Sequence, residues 1–326
     1  MRLLGLAALT GLATATYNYL SGRNLLADSW DQARLVSQPL DYWESIWRKR
    51  PPTRVVACLT TIPSRLPHLE LTFKSLLYQS WGLQKIRLHL PQYSEREGQP
   101  YIVPEHWLGR DWLEIVTCPD FGPATKLLPA LQDLPGDQRL LVVDDDMLYP
   151  ATLVQFLLGH AQRNPDWVVA SSGWRVPAGL VDRPTTLWDN LARRSPAPVK
   201  CTRVNHRYPV DIVQGYSGFL TQPDFYDKEN IFDYSQAPAA ARWVDDVWLS
   251  AHCLMPKAVF PAPRYCFERW KARKMMKAAS LGRLNRGDGT PLTRNNTIAI
   301  RHLQEHWLHA LPEGRDDQNP NALAQP

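Results

Sequence analysis

The stretch "RLLVVDDDMLYP", residues 139–150, places three consecutive aspartates directly after an apolar run. The apolar residues 140–143 predict a buried strand, and Asp144, Asp145 and Asp146 follow at its end. Adjacent carboxylates repel one another, and partly buried carboxylates are costly unless a cation or strong donors compensate them. The stretch therefore predicts a strand whose carboxyl end attracts positive charge.

Strands and helices alternate on both sides of this stretch. The predicted strands are 54–61, 84–90, 112–118, 140–143 and a fifth from residue 166, and the predicted helices follow Pro63 and Gly122 and span 151–162. This rhythm predicts an α/β fold with a mostly parallel sheet flanked by helices. Such sheets bind ligands at the carboxyl ends of their strands. Thr60, Thr61 and the three aspartates all belong to that edge.

Two later segments add candidate site residues. In "VDIVQGYSGFL", residues 210–220, Gly215 and Gly218 permit a backbone turn close to a ligand. A helix predicted in "RWVDDVWLSAHCLMP" carries Asp245 and Asp246 in its opening turn. Residues 173–209, which precede both segments, are rich in Arg, Pro and Trp and predict a long loop.

Composition limits the class of protein and its partners. The chain has 326 residues, of which 44% are apolar and 21% charged, as in globular proteins. Lys and Arg exceed Asp and Glu by only 37 to 32, and no nucleic-acid-binding motif surrounds the basic residues, so we expect no nucleic-acid partner. Five cysteines without metal or redox spacing predict buried free thiols in a reducing compartment.

The chain divides into three predicted parts. Residues 1–50 form an N-terminal lead, residues 51–270 the main domain, and residues 271–326 a basic and then polar extension. No charge occurs from Leu3 to Leu20, which fits a membrane anchor or surface-lying helix, a cleaved signal, or a plain lead-in helix. We expect a cytoplasmic protein and leave membrane association through the N terminus open.

The acidic triplet favours a divalent metal ion. Mg²⁺ or Mn²⁺ bound by one or two carboxylates usually completes its coordination with phosphate oxygens. The alternative is that the triplet caps the helix that begins near Pro150, but one acidic residue would serve there. The sequence therefore predicts a metal site that binds a diphosphate.

These motifs together resemble a nucleotide-sugar glycosyltransferase of the GT-A fold, close to the family 2 type. The resemblance is carried by an apolar strand ending in Asp-x-Asp, an earlier strand leading into Thr-Thr-Ile-Pro-Ser-Arg at residues 60–65, and a Gly-containing loop before an Asp-Asp helix start about a hundred residues after the triplet. It covers residues 54–262.

The resemblance implies roles for the matching positions. Donor binding would fall to Thr60, Thr61, Pro63, Arg65, Lys126, Asp144 and Asp145. Asp146, with Asp144 directly or through water, would hold Mn²⁺ or Mg²⁺ against the diphosphate. Asp246, or else Asp245, would be the general base. Gly215 and Gly218 would belong to the acceptor loop.

The implied activity is metal-dependent transfer of a sugar from a UDP- or GDP-sugar to a hydroxyl of a glycan, lipid or protein. Inversion is favoured, and retention stays open because both outcomes occur on this fold. One alternative is a nucleotidyltransferase of related fold, which would normally show a Gly-rich loop after the first strand, whereas "TTIPSRL" contains no Gly. Another is a non-catalytic, membrane-associated protein that binds a nucleotide sugar or a glycan.

Each candidate residue also has a plain structural interpretation. Asp245 and Asp246 suit the start of any helix, and Lys126 suits a solvated helix face. Thr60 and Arg65 suit the end of a strand and the start of a helix. Three histidines are candidates for a third metal ligand by position only, and an ordinary core or surface role is favoured for them: His252, His302 and His306.

Overall fold

The computed structural model describes residues 2–270 and 281–307. The helices are α1 (Arg2–Ser21), α2 (Leu25–Ser37), α3 (Leu40–Trp47), α4 (Glu70–Leu77), α5 (Leu128–Asp133), α6 (Leu153–Arg163), α7 (Leu187–Ala192) and α8 (Asp245–Ala251), followed by Leu281–Leu284 and Asn295–His302. The strongly basic part of the predicted extension, residues 271–280, and its tail after residue 307 lie outside the described residues.

The strands are short, apart from three near the start of the domain. They are β1 (Val55–Thr60), β2 (Lys85–Pro91), β3 (Tyr93–Ser94), β4 (Gln99–Pro100), β5 (Leu113–Cys118), β6 (Arg139–Val142), β7 (Met147–Leu148), β8 (Val168–Ala170), β9 (Ser172–Trp174), β10 (Val199–Lys200), β11 (Tyr208–Val210), β12 (Ile212–Val213), β13 (Phe219–Thr221), β14 (Lys257–Val259) and β15 (Phe267–Glu268).

Eight strands form one central sheet in the order β11-β14-β8-β13-β6-β1-β2-β5. Strands β6, β1, β2 and β5 are parallel neighbours, and β14 is parallel to β8. Strand β13 runs antiparallel between β6 and β8, and β11 is antiparallel to β14. The predicted α/β architecture, a mostly parallel sheet flanked by helices, is confirmed.

The centre of the sheet is the apolar core. Strands β1 and β6 lie side by side, and their residues from Val55 to Leu59 and from Leu140 to Val142 are buried. A strand that is covered on both faces has apolar residues at consecutive positions, and such a run is easily recognised in the sequence. The polar residues that follow these two strands are thereby held at one edge of the sheet.

Two helices begin later than predicted. The segment after Pro63 first forms a 3₁₀ turn, Leu66–His68, and α4 starts at Glu70. The segment after Gly122 forms the 3₁₀ helix Gly122–Lys126 before α5.

The predicted long loop 173–209 is wrong in part, because it contains α7 and β10. Helix α7 has only six residues, too few for an apolar period, and is fixed instead by a capping box between Thr186 and Asp189.

The N-terminal lead packs on the sheet domain. Leu35, Leu40 and Trp43 of α2 and α3 are buried in the same core as β1. Among the helices of residues 2–270 and 281–307, none combines the length and apolar character needed to cross a bilayer. All five cysteines are free, and four of them are buried, as predicted.

Candidate functional site

A cleft opens at the carboxyl ends of β1, β2 and β6. It encloses about 650 Å³, counting space open to solvent. Seven residues that the sequence predicts for the site line it: Thr60, Thr61, Arg65, Lys126, Asp144, Asp145 and Asp245. The parallel strands bring these side chains together because their ends meet at one edge of the sheet.

Lys126 is the centre of the site. Its Nζ atom lies 2.6 Å from Asp144 Oδ1, 2.6 Å from Asp245 Oδ2 and 3.8 Å from Asp246 Oδ1. Burial opposes the charge of Lys126, but these three carboxylates outweigh it and hold the pKa of the ammonium group well above its usual value. Lys126 is therefore a buried cation that joins the end of β6 to the start of α8.

Asp145 is held by the segment that follows β1. Thr61 Oγ1 donates to Asp145 Oδ2 at 2.5 Å, and Arg65 Nη1 donates to Asp145 Oδ1 at 2.9 Å. Both Arg65 and Asp145 are buried. Since each oxygen of Asp145 already accepts a strong hydrogen bond, its side chain ties two strand ends together.

Asp146 is the least compensated of the triplet. Its nearest ion-pair partner is Arg65, at 3.6 Å, and 31% of its side chain is exposed. Burial raises the pKa of Asp146 to about 7, and the neighbouring carboxylates of Asp145 and Asp144 add to that shift. Without a further cation, Asp146 is therefore only partly ionised near neutral pH.

The described part of the chain contains no group of three His, Cys, Asp or Glu side chains arranged to hold a metal ion. The reason is that Asp144 turns to Lys126 and Asp145 to Arg65. Mg²⁺ and Mn²⁺ need only one or two carboxylates when phosphate oxygens complete the shell. The undercompensated carboxylate of Asp146 fits such an open site, with Asp144 beside it.

Asp246 faces the same centre from α8. Its Oδ1 atom accepts a hydrogen bond from the backbone of Gly215 at 3.0 Å, and 28% of its side chain is exposed. Burial raises the pKa of Asp246 to about 7; Lys126 opposes this shift, while Asp245 and Asp144 add to it. Asp245 is more enclosed, with 10% of its side chain exposed.

The remaining predicted positions lie around the cleft. Thr60 Oγ1 donates to the carbonyl of His89 at 2.8 Å, which joins the ends of β1 and β2. Pro63 lies half-buried in the turn between β1 and α4. Gly218, at φ +88°, packs against Leu153 in the core.

The three candidate histidines lie near one another by the C-terminal end of α8. His252 follows the C-terminal end of α8, and its ring centroid lies 5.4 Å from that of His306. Burial lowers the pKa of His252, and the charges of His306 and His302 lower it further. The three histidines therefore form a cluster at the end of α8 opposite Asp245 and Asp246.

Several residues of the site carry no sequence signal. Arg269 donates to the carbonyl of Asp145 at 2.6 Å and also to His68 O and Thr72 Oγ1, and it follows β15, which pairs with β7 just after the triplet. Tyr149 Oη accepts from the backbone of Asp144 at 2.9 Å. The residues that line the cleft without such a signal include Arg96, Tyr101, Asp120 and Trp243.

No protein-family model and no curated protein sequence matches this chain. Among solved structures, it is similar to S. aureus TarS 1–349, with 12% identity over 80% of this chain and 70% of that one and a TM-score of 0.41. It is also similar to the mannosyltransferase PcManGT from Pyrobaculum calidifontis in complex with GDP-Man and Mn²⁺. The identity is 16%, the match covers 90% of this chain and 81% of that one, and the TM-score is 0.40. These values assign no activity to the present chain.

Proposed function

We propose that this protein is a metal-dependent glycosyltransferase of the GT-A type, which moves a sugar from a nucleotide-diphosphate donor to an acceptor hydroxyl with inversion. The observation that supports it most is the meeting of carboxylates from two distant segments around Lys126, namely Asp144 after β6 and Asp245 and Asp246 at the start of α8. Such a transfer needs both a compensated site for a diphosphate and a base for the acceptor.

The donor would bind along the strand ends. Arg65, Arg96 and Lys126 all line the cleft, so cationic groups border the space where a diphosphate would lie. Asp146, with Asp144 beside it, would hold Mg²⁺ or Mn²⁺ against the phosphates. A bound dication stabilises the negative charge of a leaving diphosphate without proton transfer.

Asp246 would act as the general base, with Asp245 as the alternative. Its Oδ1 atom is fixed by Gly215, so the carboxylate is oriented, and a pKa raised to about 7 suits proton transfer near neutral pH. The acceptor oxygen would bond to the sugar carbon while the bond between that carbon and the phosphate oxygen breaks. The proton would pass to Asp246 and the nucleoside diphosphate would leave.

A thermal-shift experiment tests the donor half of this proposal. The protein is titrated with UDP and with GDP, each with and without Mn²⁺. We expect one nucleotide to raise the melting temperature by several degrees only when Mn²⁺ is present, because metal and diphosphate complete each other's site. Equal shifts with and without metal, or none with either nucleotide, would contradict the assignment.

A product assay separates the enzyme classes. Incubation with sugar nucleotides, Mn²⁺ and a panel of glycan, lipid and peptide acceptors should release the free nucleoside diphosphate. In a parallel incubation with nucleoside triphosphates and sugar 1-phosphates, release of pyrophosphate would instead identify a nucleotidyltransferase. Metal-dependent binding without any release would identify a binding protein.

A further inference from the structure

Helix α2 buries Leu35 in the core, but it also buries two carboxylates and exposes large apolar side chains. Its buried face carries Asp28 and Asp31, which bind Arg264 Nη2 at 2.6 and 3.0 Å. Its outer face carries Leu26 and Trp30, which are 73% and 72% exposed. Surface helices normally turn their apolar side to the core, whereas this outward face presents apolar side chains that the rest of residues 2–270 and 281–307 leave exposed.

Helix α1, which precedes α2, also carries exposed apolar side chains. Asn18 Oδ1 accepts a hydrogen bond from the backbone of Leu25 at 2.8 Å, which joins the end of α1 to the start of α2. Leu12 and Tyr19 of α1 are 67% and 64% exposed. We call Leu12, Tyr19, Leu26 and Trp30 the N-terminal apolar surface.

Arginines accompany the exposed aromatic and apolar side chains of α1 and α2. The only acidic residues within positions 11–37 are Asp28 and Asp31, and both are buried against Arg264. At the surface itself, the guanidinium of Arg203 lies 5.3 Å from the ring centroid of Tyr19. On α2, the exposed Arg34 lies 5.0 Å from the ring centroid of Tyr78.

We propose that the N-terminal apolar surface rests on an anionic lipid bilayer, with α1 and α2 in the boundary between headgroups and acyl chains. Exposed Leu, Tyr and Trp side chains beside arginines match that boundary, because the apolar groups enter it while guanidinium groups contact lipid phosphates. A second copy of the chain is a poorer match. Two such surfaces face to face would bring Arg34 and Arg203 together without an exposed carboxylate from positions 11–37.

Vesicle sedimentation tests this proposal on the full chain. Vesicles of phosphatidylcholine with added phosphatidylglycerol should bind the protein at low salt, and pure phosphatidylcholine vesicles should bind it more weakly. The variants Leu26→Glu and Trp30→Glu should each lower the lipid partition coefficient by about tenfold, since each removes one large apolar side chain from the contact. The control is Leu254→Glu, which changes a leucine that is 68% exposed at the far end of α8.

Because Leu26 and Trp30 are exposed, both variants should keep the melting temperature of the wild type. Absence of binding to the anionic vesicles, or an equal loss in the Leu254→Glu control, would overturn the proposal. So would a dimer in light scattering that Trp30→Glu dissociates while vesicle binding is absent. The thermal shifts with nucleotide and Mn²⁺ do not involve these residues, so they test the enzymatic assignment independently.

Discussion

The Nζ atom of Lys126 occupies the space that a side chain at position 215 would need. A Cβ atom built on Gly215 would overlap Lys126 Nζ and would lie 3.1 Å from Asp144 Oδ1. The same glycine donates its backbone N–H to Asp246. Because Gly215 has no side chain, it can approach Lys126 closely and at the same time orient the proposed base, Asp246.

The variant Gly215→Ala should displace Lys126 without unfolding the protein, because the end of a lysine side chain can shift. We expect the rate of sugar transfer to fall by roughly 10- to 100-fold, as small misplacements of site groups do. Gly159→Ala is the matched control, since no atom lies within 4 Å of the added Cβ in α6. It should keep the rate and raise stability by about 0.5–1 kcal/mol. If Gly215→Ala transferred sugar at the wild-type rate, the position of Lys126 would not matter for the reaction.

Substitutions of Asp146 and Asp246 should affect different steps, namely donor binding and sugar transfer. Asp146→Asn should abolish the Mn²⁺-dependent thermal shift with nucleotide, because the amide oxygen is a weaker ligand for a hard cation than a carboxylate. Asp246→Asn should keep that shift but lower transfer by about 10²- to 10⁴-fold, the usual contribution of a general base.

The control for both variants is Asp111→Asn, which removes one negative charge at a position that is 67% exposed and paired with Arg48 away from the cleft. It should match the wild type in both assays. If Asp146→Asn retained the metal-dependent shift, the metal would have to bind elsewhere. If Asp246→Asn retained transfer, Asp245 would become the candidate base.

The strand ends could be predicted from the sequence because their cause is local. The apolar runs before Thr60 and before Asp144 are long enough to predict buried strands, and neighbouring parallel strands must end at one edge. The antiparallel insertion of β13 between β6 and β8 could not be predicted, since strand order depends on packing between distant segments. Helix α7 could not be predicted either, because six residues are too few to show the spacing of apolar residues that is typical of a helix.

The partners within the site were harder to predict. Lys126 is a candidate from its place in the sequence, but its approach to Asp245 depends on how α8 packs against the segment Gly122–Lys126. Arg269 lies 124 positions after Asp145, the residue whose carbonyl it binds, and no motif links the two. Charge compensation is a property of the folded arrangement, so a run of aspartates predicts that cations are near without naming them.

Removal of Lys126 should destabilise the fold. Lys126→Met leaves the carboxylates of Asp144 and Asp245 without their common cation, and we expect the free energy of unfolding to fall by about 3–5 kcal/mol. Urea unfolding measures this change. The control is Lys228→Met, which breaks an exposed ion pair with Asp224 and should cost less than about 1 kcal/mol.

A second variant separates charge from packing. Lys126→Met combined with Asp245→Asn removes one of the unpaired carboxylates, so the double variant should regain part of the lost stability. A double variant as unstable as the sum of the two single ones would mean that Lys126 stabilises the fold by packing alone.

His89 should make stability fall in acid. It is fully buried on β2, its Nδ1 atom lies 3.2 Å from the carbonyl of Lys126, and its Nε2 atom has no hydrogen-bond partner among the described residues. Burial lowers the pKa of His89 from 6.5 to about 4, and the charge of Arg87 contributes. Between these two values the unfolded chain binds a proton at His89 that the folded chain does not, so the free energy of unfolding decreases as the pH falls.

The variant His89→Asn measures this effect, because the Asn amide can donate to the Lys126 carbonyl but does not titrate. Urea unfolding of both proteins above pH 6.5 and near pH 4 should show the wild type losing up to about 3 kcal/mol more than the variant. Other groups titrate in the same range in both proteins, so only the difference between the two curves reports on His89. If the free energies of unfolding of the two proteins changed equally with pH, the His89 ring would bind its proton as readily in the folded chain as in the unfolded one. The lowered pKa of His89 would then be contradicted.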